Sequence, residues 1–243
     1  MSNNSLARLF ISEPIRADST LTLTRSQSHY LINVMRMTSG DEFLLFNGID
    51  GEWKVFITDA NKKCTTVSVT EQTSPQTNEL DIWLLFAPIK KDRTDFIIEK
   101  ATELGVSKII PVITEHTQIS RVNIERLQAT AIEATEQSRR LTVPEFEAAQ
   151  QLQNALNNWP SSRRLIYLDE TGNGQALARV LQDKTDDLAF VIGPEGGFSP
   201  SELDAMDKLT FSVGADLGPR ILRSETAVVA ALAIRQAVED MRK

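Results

Sequence analysis

The sequence predicts an α/β protein in two parts, a small β-barrel or sandwich followed by a larger domain built on a mostly parallel sheet. Three observations carry this. From Ala7 to Val69 short alternating apolar runs are separated by turn signals. From Leu80 onward strand-like runs alternate with helical ones, the pattern of a parallel sheet with helices on its faces. Between them the polar stretch EQTSPQTNE has no apolar periodicity and reads as a linker. The expected boundaries are 1–72 for the barrel, 73–79 for the linker and 80–243 for the α/β domain.

In the first part the strand candidates are RLFI, LTLT, DEFLLFNG, EWKVFIT and TTVSVT. The Asn-Gly and Asp-Gly pairs of NGIDGEW, flanked by alternating apolar residues, are a strong hairpin signal. SHYLINVMRM reads as one short helix with Tyr30, Leu31, Val34 and Met35 on a common face. Phe10, Phe43, Phe46, Trp53 and Phe56 are expected in the barrel core, and Cys64 as a small packing residue in a strand. In the second part the strands are LDIWLLFAPI, KIIPVIT, RRLIYLD, LAFVIG and FSVGADLG. The helices are DRTDFIIEKATELG, NIERLQATAIEATEQSRR, EAAQQLQNALNN, a run after Gly174, SPSELDAMDKL and SETAVVAALAIRQAVEDM. Ile97, Ala101 and Leu104 share a helix face, and Gly105 makes the C-terminal cap.

Composition bounds the function. A 41% apolar, 24% charged chain fits a soluble globular protein, and no apolar run approaches the roughly 18 residues of a spanning helix. The polar start MSNNSLARLF lacks a signal-peptide core, so the expected location is the cytosol, with no membrane partner. A single cysteine excludes an internal disulfide, and His29 and His116 have no metal-ligand spacing, so no metal is expected. A net charge of −7 argues against nucleic-acid binding through an evenly basic surface. Residues 1–72 are nearly balanced, with seven Lys and Arg against eight Asp and Glu. Arg8, Arg16, Arg25 and Arg36 there form at most a mild basic patch, which charge alone reads as ordinary solvated surface.

Two loops stand out. GPEGGFSPSE follows the strand LAFVI, and Ser199-Pro200-Ser201-Glu202 has the form of a capping box, so the loop runs from a strand end to a helix start. Its glycines fit neither G-x-G-x-x-G nor G-x-x-x-x-G-K-[ST], and Glu195 sits where a phosphate would have to bind. A neutral or cationic ligand suits it better. ADLGPRILRSETA repeats the arrangement, with Gly218-Pro219 at the bend, Arg220 and Arg223 in the loop and Ser224 able to cap the next helix.

At these loops, and in RLFI, HYLINVMRM with GDEFLLFNG, KKDRTDFIIEKATELGVSKIIPV and EATEQSRRLTVP, the chain resembles the RsmE family of the SPOUT superfamily. The resemblance spans nearly the whole chain. It implies an RNA-binding, PUA-like barrel, a SPOUT domain with a deep trefoil knot, and a homodimer. The implied activity is S-adenosylmethionine-dependent methylation of a uridine at N3 in 16S RNA of the small ribosomal subunit, a step of ribosome biogenesis. Arg139 stands where the family commonly has glycine, and Ser224 where threonine is usual.

The matching motifs place Gly193, Glu195, Gly196, Leu217, Gly218, Ile221 and Leu222 on the cofactor. Uridine N3 must lose its proton before it attacks, and the charge then spreads onto the flanking carbonyl oxygens, where an arginine stabilises it without titrating. Arg223 is the first candidate and Arg220 the second; an ion pair is the structural reading of each. Arg8, His29 and Arg36 of the barrel, with Lys90, Arg93 and Arg140 of the second domain, are the expected RNA contacts, His29 being equally well an ordinary surface histidine. The rival reading from another class is a noncatalytic RNA-binding assembly factor of the same fold. An NAD-dependent enzyme is a third, weakened by the absent phosphate fingerprint.

Overall fold

The computed structural model describes residues 6–119, 121–172, 174–183 and 187–242. The chain divides into two units: one is the chain up to Asn78 together with Thr135–Thr142, the other Glu79–Ala134 with the chain from Val143 onward.

The first unit holds β1 (Arg8–Phe10), β2 (Thr20–Thr22), α1 (Arg25–His29), a π-helical turn over Tyr30–Val34, β3 (Glu42–Phe46), β4 (Glu52–Asp59) and β5 (Thr66–Ser74). They form a five-stranded sheet of order β1-β3-β4-β5-β2, parallel only between β1 and β3. Its core gathers Leu31, Phe43, Leu45, Val55, Ile57 and Val67, all fully buried. The predicted hairpin joins β3 to β4. Asn47 Oδ1 accepts from the amides of Ile49 and Asp50 at 3.0 and 2.8 Å, and Gly48 and Gly51 take φ +79° and +80°.

Three local expectations change. The helix of SHYLINVMRM is α1 plus a wider π turn, closed by Met35 N donating to Tyr30 O at 3.0 Å. An i→i+5 turn breaks the 3.6-residue register, so Leu31 stays buried while Val34 and Met35 are 58% and 43% exposed. Cys64 is exposed in a turn before β5. Strand β5 runs on into the polar stretch to Ser74, because Gln72 and Ser74 still pair with Trp53 and Glu52 of β4.

The second unit holds β6 (Ile82–Phe86), α2 (Lys91–Glu103), β7 (Lys108–Ile113), α3 (Ile124–Ser138, its last turn counted with the first unit), β8 (Glu145–Phe146), β9 (Gln150–Gln151), α4 (Leu152–Asn157), β10 (Arg164–Leu168), β11 (Gln175–Ala176), α5 (Leu177–Val180), β12 (Leu188–Ile192), α6 (Pro200–Asp207), β13 (Ser212–Asp216) and α7 (Ser224–Asp240). Every strand pair is parallel, in the order β11-β13-β10-β12-β6-β7-β8, with β9 also on β7.

Both faces of this sheet are covered, which is why its strands read as continuous apolar runs. Leu84, Phe86, Phe190 and Ile192 meet Ile97, Ile98 and Ala101 of α2 and Val228, Ala231 and Leu232 of α7. Leu85, Val191, Leu165 and Tyr167 face the other way, onto Leu152 and Leu156 of α4 and Met206 of α6. Each large apolar side chain so buried contributes roughly 1.5–3 kcal/mol. Helix α2 ends as expected at Gly105, φ +84°, with Val106 N reaching back to Ala101 O at 3.0 Å. The helices expected before Asn158 and after Gly174 shorten to α4 and α5, preceded by the two-residue strands β9 and β11.

Candidate active site

Ligands of parallel sheets bind beyond the carboxyl ends of the strands, and here three adjacent strands end at one cavity of about 250 Å³. Its walls are residues 168–172 after β10, 192–194 after β12 and 215–222 after β13, with Ser224 and Ala227 of α7. Ser224 does not cap α7, whose N-cap is Arg223. Its hydroxyl donates instead to Gly193 O at 2.8 Å and so ties the second loop to the first. Gly218, at φ +101°, turns the second loop, and its amide donates to Asp216 Oδ1 at 2.8 Å. Around the first loop, Ser199 and Glu202 complete the predicted capping box of α6.

The cavity is acidic and partly apolar. Asp169, Glu170 and Asp216 line it against Arg220, and Ile192, Pro194, Leu217, Leu222 and Ala227 supply an apolar flank. Desolvation raises the Glu170 carboxyl above the usual carboxylate range, and the neighbouring Asp169 charge adds to it. A phosphate would meet this lining as like charge; a cation with a flat apolar group is complementary to it.

Gly193, Leu217, Gly218, Ile221 and Leu222 of the expected cofactor set line the cavity. Glu195 and Gly196 face a shallow cleft with Glu115, His116, Thr117 and Gln118. Arg220 is in the lining, whereas Arg223 is exposed at the start of α7. The wall after β10 was missed by sequence reasoning, although YLDETGNG carries its own signal: a strand end followed by carboxylates and a Gly turn.

The expected RNA contacts separate. Arg8, His29, Arg36 and Arg140 belong to the first unit, Lys90 and Arg93 to the second. Arg8 is turned inward, its side chain 7% exposed. Its Nε donates to Glu52 at 2.5 Å, its other nitrogens to the carbonyls of Thr135, Glu136 and Arg140, and its guanidinium stacks on Phe46. Arg93 pairs with Glu195 at 3.1 Å and with Glu225 at 3.6 Å. His29, Arg36 and Lys90 are exposed. Among the described residues no cluster of His, Cys, Asp and Glu is arranged for a metal ion, and no helix is long and apolar enough to cross a membrane.

Comparison with known proteins gives a concordant result. The family model for RNA methyltransferase domains matches residues 76–236, and that for the PUA domain of RNA methyltransferases matches residues 23–68. Ribosomal RNA small subunit methyltransferase E of Rickettsia conorii is 36% identical over 229 residues, covering 93% of each chain. Its namesake in Bacillus subtilis is 30% identical, covering 93% of this chain and 94% of its own. The crystal structure of a ribosomal RNA small subunit methyltransferase E from Neisseria gonorrhoeae bound to S-adenosyl methionine superposes with a TM-score of 0.88 at 28% identity, covering 96% of this chain and 98% of that one. On these matches, the chain belongs to the RNA methyltransferase family.

Proposed function

We propose that this protein transfers a methyl group from S-adenosylmethionine to N3 of a uridine in 16S RNA of the small ribosomal subunit, in the cytoplasm and as a homodimer. The observation that carries this reading is the cavity at the strand ends: acidic, apolar on one flank, and without a phosphate-binding glycine pattern. S-adenosylmethionine supplies an electrophilic methyl on a sulfonium and carries no phosphate. Asp169, Glu170 and Asp216 suit the donor's positive charge, while Leu217, Leu222 and Ile192 offer a surface for a flat ring.

Arg220, in the cavity lining, is the residue we assign to the substrate side. Its guanidinium stabilises the negative charge that spreads over the uracil carbonyls once the N3 proton has left to solvent. Arg223, exposed three residues on at the N-cap of α7, is the second candidate. The target base must be unstacked to bring N3 to the cavity. The deep trefoil knot implied by the resemblance is assigned to the loops around this cavity, with the Ser224–Gly193 bond as one tie between them. Ile221, 87% exposed at the cavity, is the kind of apolar side chain that a second copy would cover.

Calorimetry with S-adenosylmethionine, followed by transfer of its labelled methyl to small subunits lacking the modification, tests the reading. Arg220→Ala is expected to bind the donor within about threefold of wild type and to lower turnover by about 10²-fold or more. RNA binding without any methyl transfer by the wild-type protein would favour the noncatalytic assembly factor instead.

A further inference from the structure

His116 is exposed, in a turn after β7 and outside every hydrophobic core, yet its ring is committed to the glycine loop. Nδ1 lies 2.9 Å from Gly196 O and 3.1 Å from Gly197 O. Carbonyl oxygens only accept, so Nδ1 carries the proton and donates to both. The side chain sits so close that a Cβ on Gly196 would come within 3.2 Å of His116 Cβ and 3.5 Å of its ring. On the other side a Cβ on Gly197 would fall 1.5 Å from Glu170 Oε1. Gly197, at φ +68°, donates its amide to Pro194 O at 2.9 Å, and both Pro194 and Glu170 line the cavity.

The turn that carries His116 is itself braced. Thr114 N donates to Thr117 Oγ1 at 2.9 Å, Thr117 N to Thr114 O at 3.1 Å, and Glu115 N to Glu202 Oε1 at 2.9 Å. Glu202 also closes the capping box of α6 with Ser199, so the turn is fixed to the helix that follows the loop.

We propose that His116 and Glu170 are positioning residues for the methyl donor: they grip the Gly196–Gly197 peptide between them and thereby set the cavity wall made by Gly193 and Pro194. This rests on the assignment of the cavity to S-adenosylmethionine. Neither side chain needs to touch the reacting atoms. His116 acts through two loop carbonyls, and Glu170 through its close contact with Gly197, whose φ of +68° strains any larger residue there.

The test uses the full chain and two variants matched in polarity. His116→Asn places an amide NH₂ close to the position of Nδ1, whereas His116→Gln places it close to that of Nε2. Donor affinity by calorimetry is expected to stay within about twofold of wild type in His116→Asn and to fall about tenfold in His116→Gln, the loss of roughly 1.4 kcal/mol that two weakened hydrogen bonds give. Hydrogen exchange over residues 193–199 is expected to quicken only in the Gln variant. Equal affinity and equal exchange in both variants, or equal loss in both, would overturn the proposal. A wild-type protein that bound no donor would instead refute the cofactor assignment, and the exchange comparison would still decide whether the clamp exists.

Discussion

Arg139 adopts φ +63°, a left-handed conformation that costs a non-glycine residue roughly 1–2 kcal/mol. It follows α3 directly and is exposed. Arg139→Gly is therefore expected to stabilise the protein by about 0.5–1 kcal/mol, part of the gain being offset by the freer unfolded chain; a urea midpoint that does not rise would contradict this. The sequence marked this position but not its backbone angle. The same holds for Arg8: an arginine near an N-terminus in an RNA-binding family invites a phosphate, and only the fold shows four of its contacts spent on Glu52 and three carbonyls. Residue type announces a charge, whereas burial decides whether the charge is available.

The elements divide the labour of the parallel sheet between its two ends. At the amino ends of the strands Asp81 receives hydrogen bonds from Trp83 Nε1 at 2.9 Å, Ser107 Oγ at 2.6 Å and the Arg163 guanidinium. Arg163, 7% exposed, also donates to Asp81 O at 2.8 Å and stacks 4.0 Å over Trp83. Desolvation would raise the Asp81 pKa, but the hydrogen bonds from Ser107 and Arg163, the Arg163 charge and the Trp83 bond outweigh it and hold the carboxyl below 3.8. The stabilisation is therefore complete above the unfolded value and is lost as pH falls through the folded one. Wild type should lose urea resistance between pH 5 and about 2 more steeply than Asp81→Asn, a difference read by midpoints at both pH values; parallel curves would show that the staple is not titrating. Alternation and strand runs made these elements legible, and the capping box located the start of α6 to the residue. What periodicity did not show were the two-residue strands β8, β9 and β11, too short to carry a pattern, and the π turn, whose register differs from that of the helix the apolar spacing suggested.

For the whole molecule, the two glycine loops were legible because glycine, proline and capping residues mark strand-to-helix turns directly. Their convergence with a third wall after β10 depends on strand order, which local sequence does not encode. Net charge sets a further expectation. With −7 overall and Arg8 and Arg93 already paired, the RNA contacts we propose reduce mainly to His29, Arg36 and Lys90, which are exposed. Binding should weaken with salt at about 0.7–0.9 log units per phosphate neutralised, giving a shallow slope of only a few such contacts. Titrations from low to high salt would measure it, and a salt-independent affinity would remove phosphates from the interface altogether. The return of Thr135–Thr142 into the first unit bears on how the protein is made. As the nascent chain leaves the ribosome, the amino-terminal sheet must wait for more than fifty residues of its neighbour to be translated before Arg8 finds the carbonyls that complete it. Cotranslational folding is thus not strictly vectorial here, and a gene fragment cut at the apparent linker would encode an unfinished barrel.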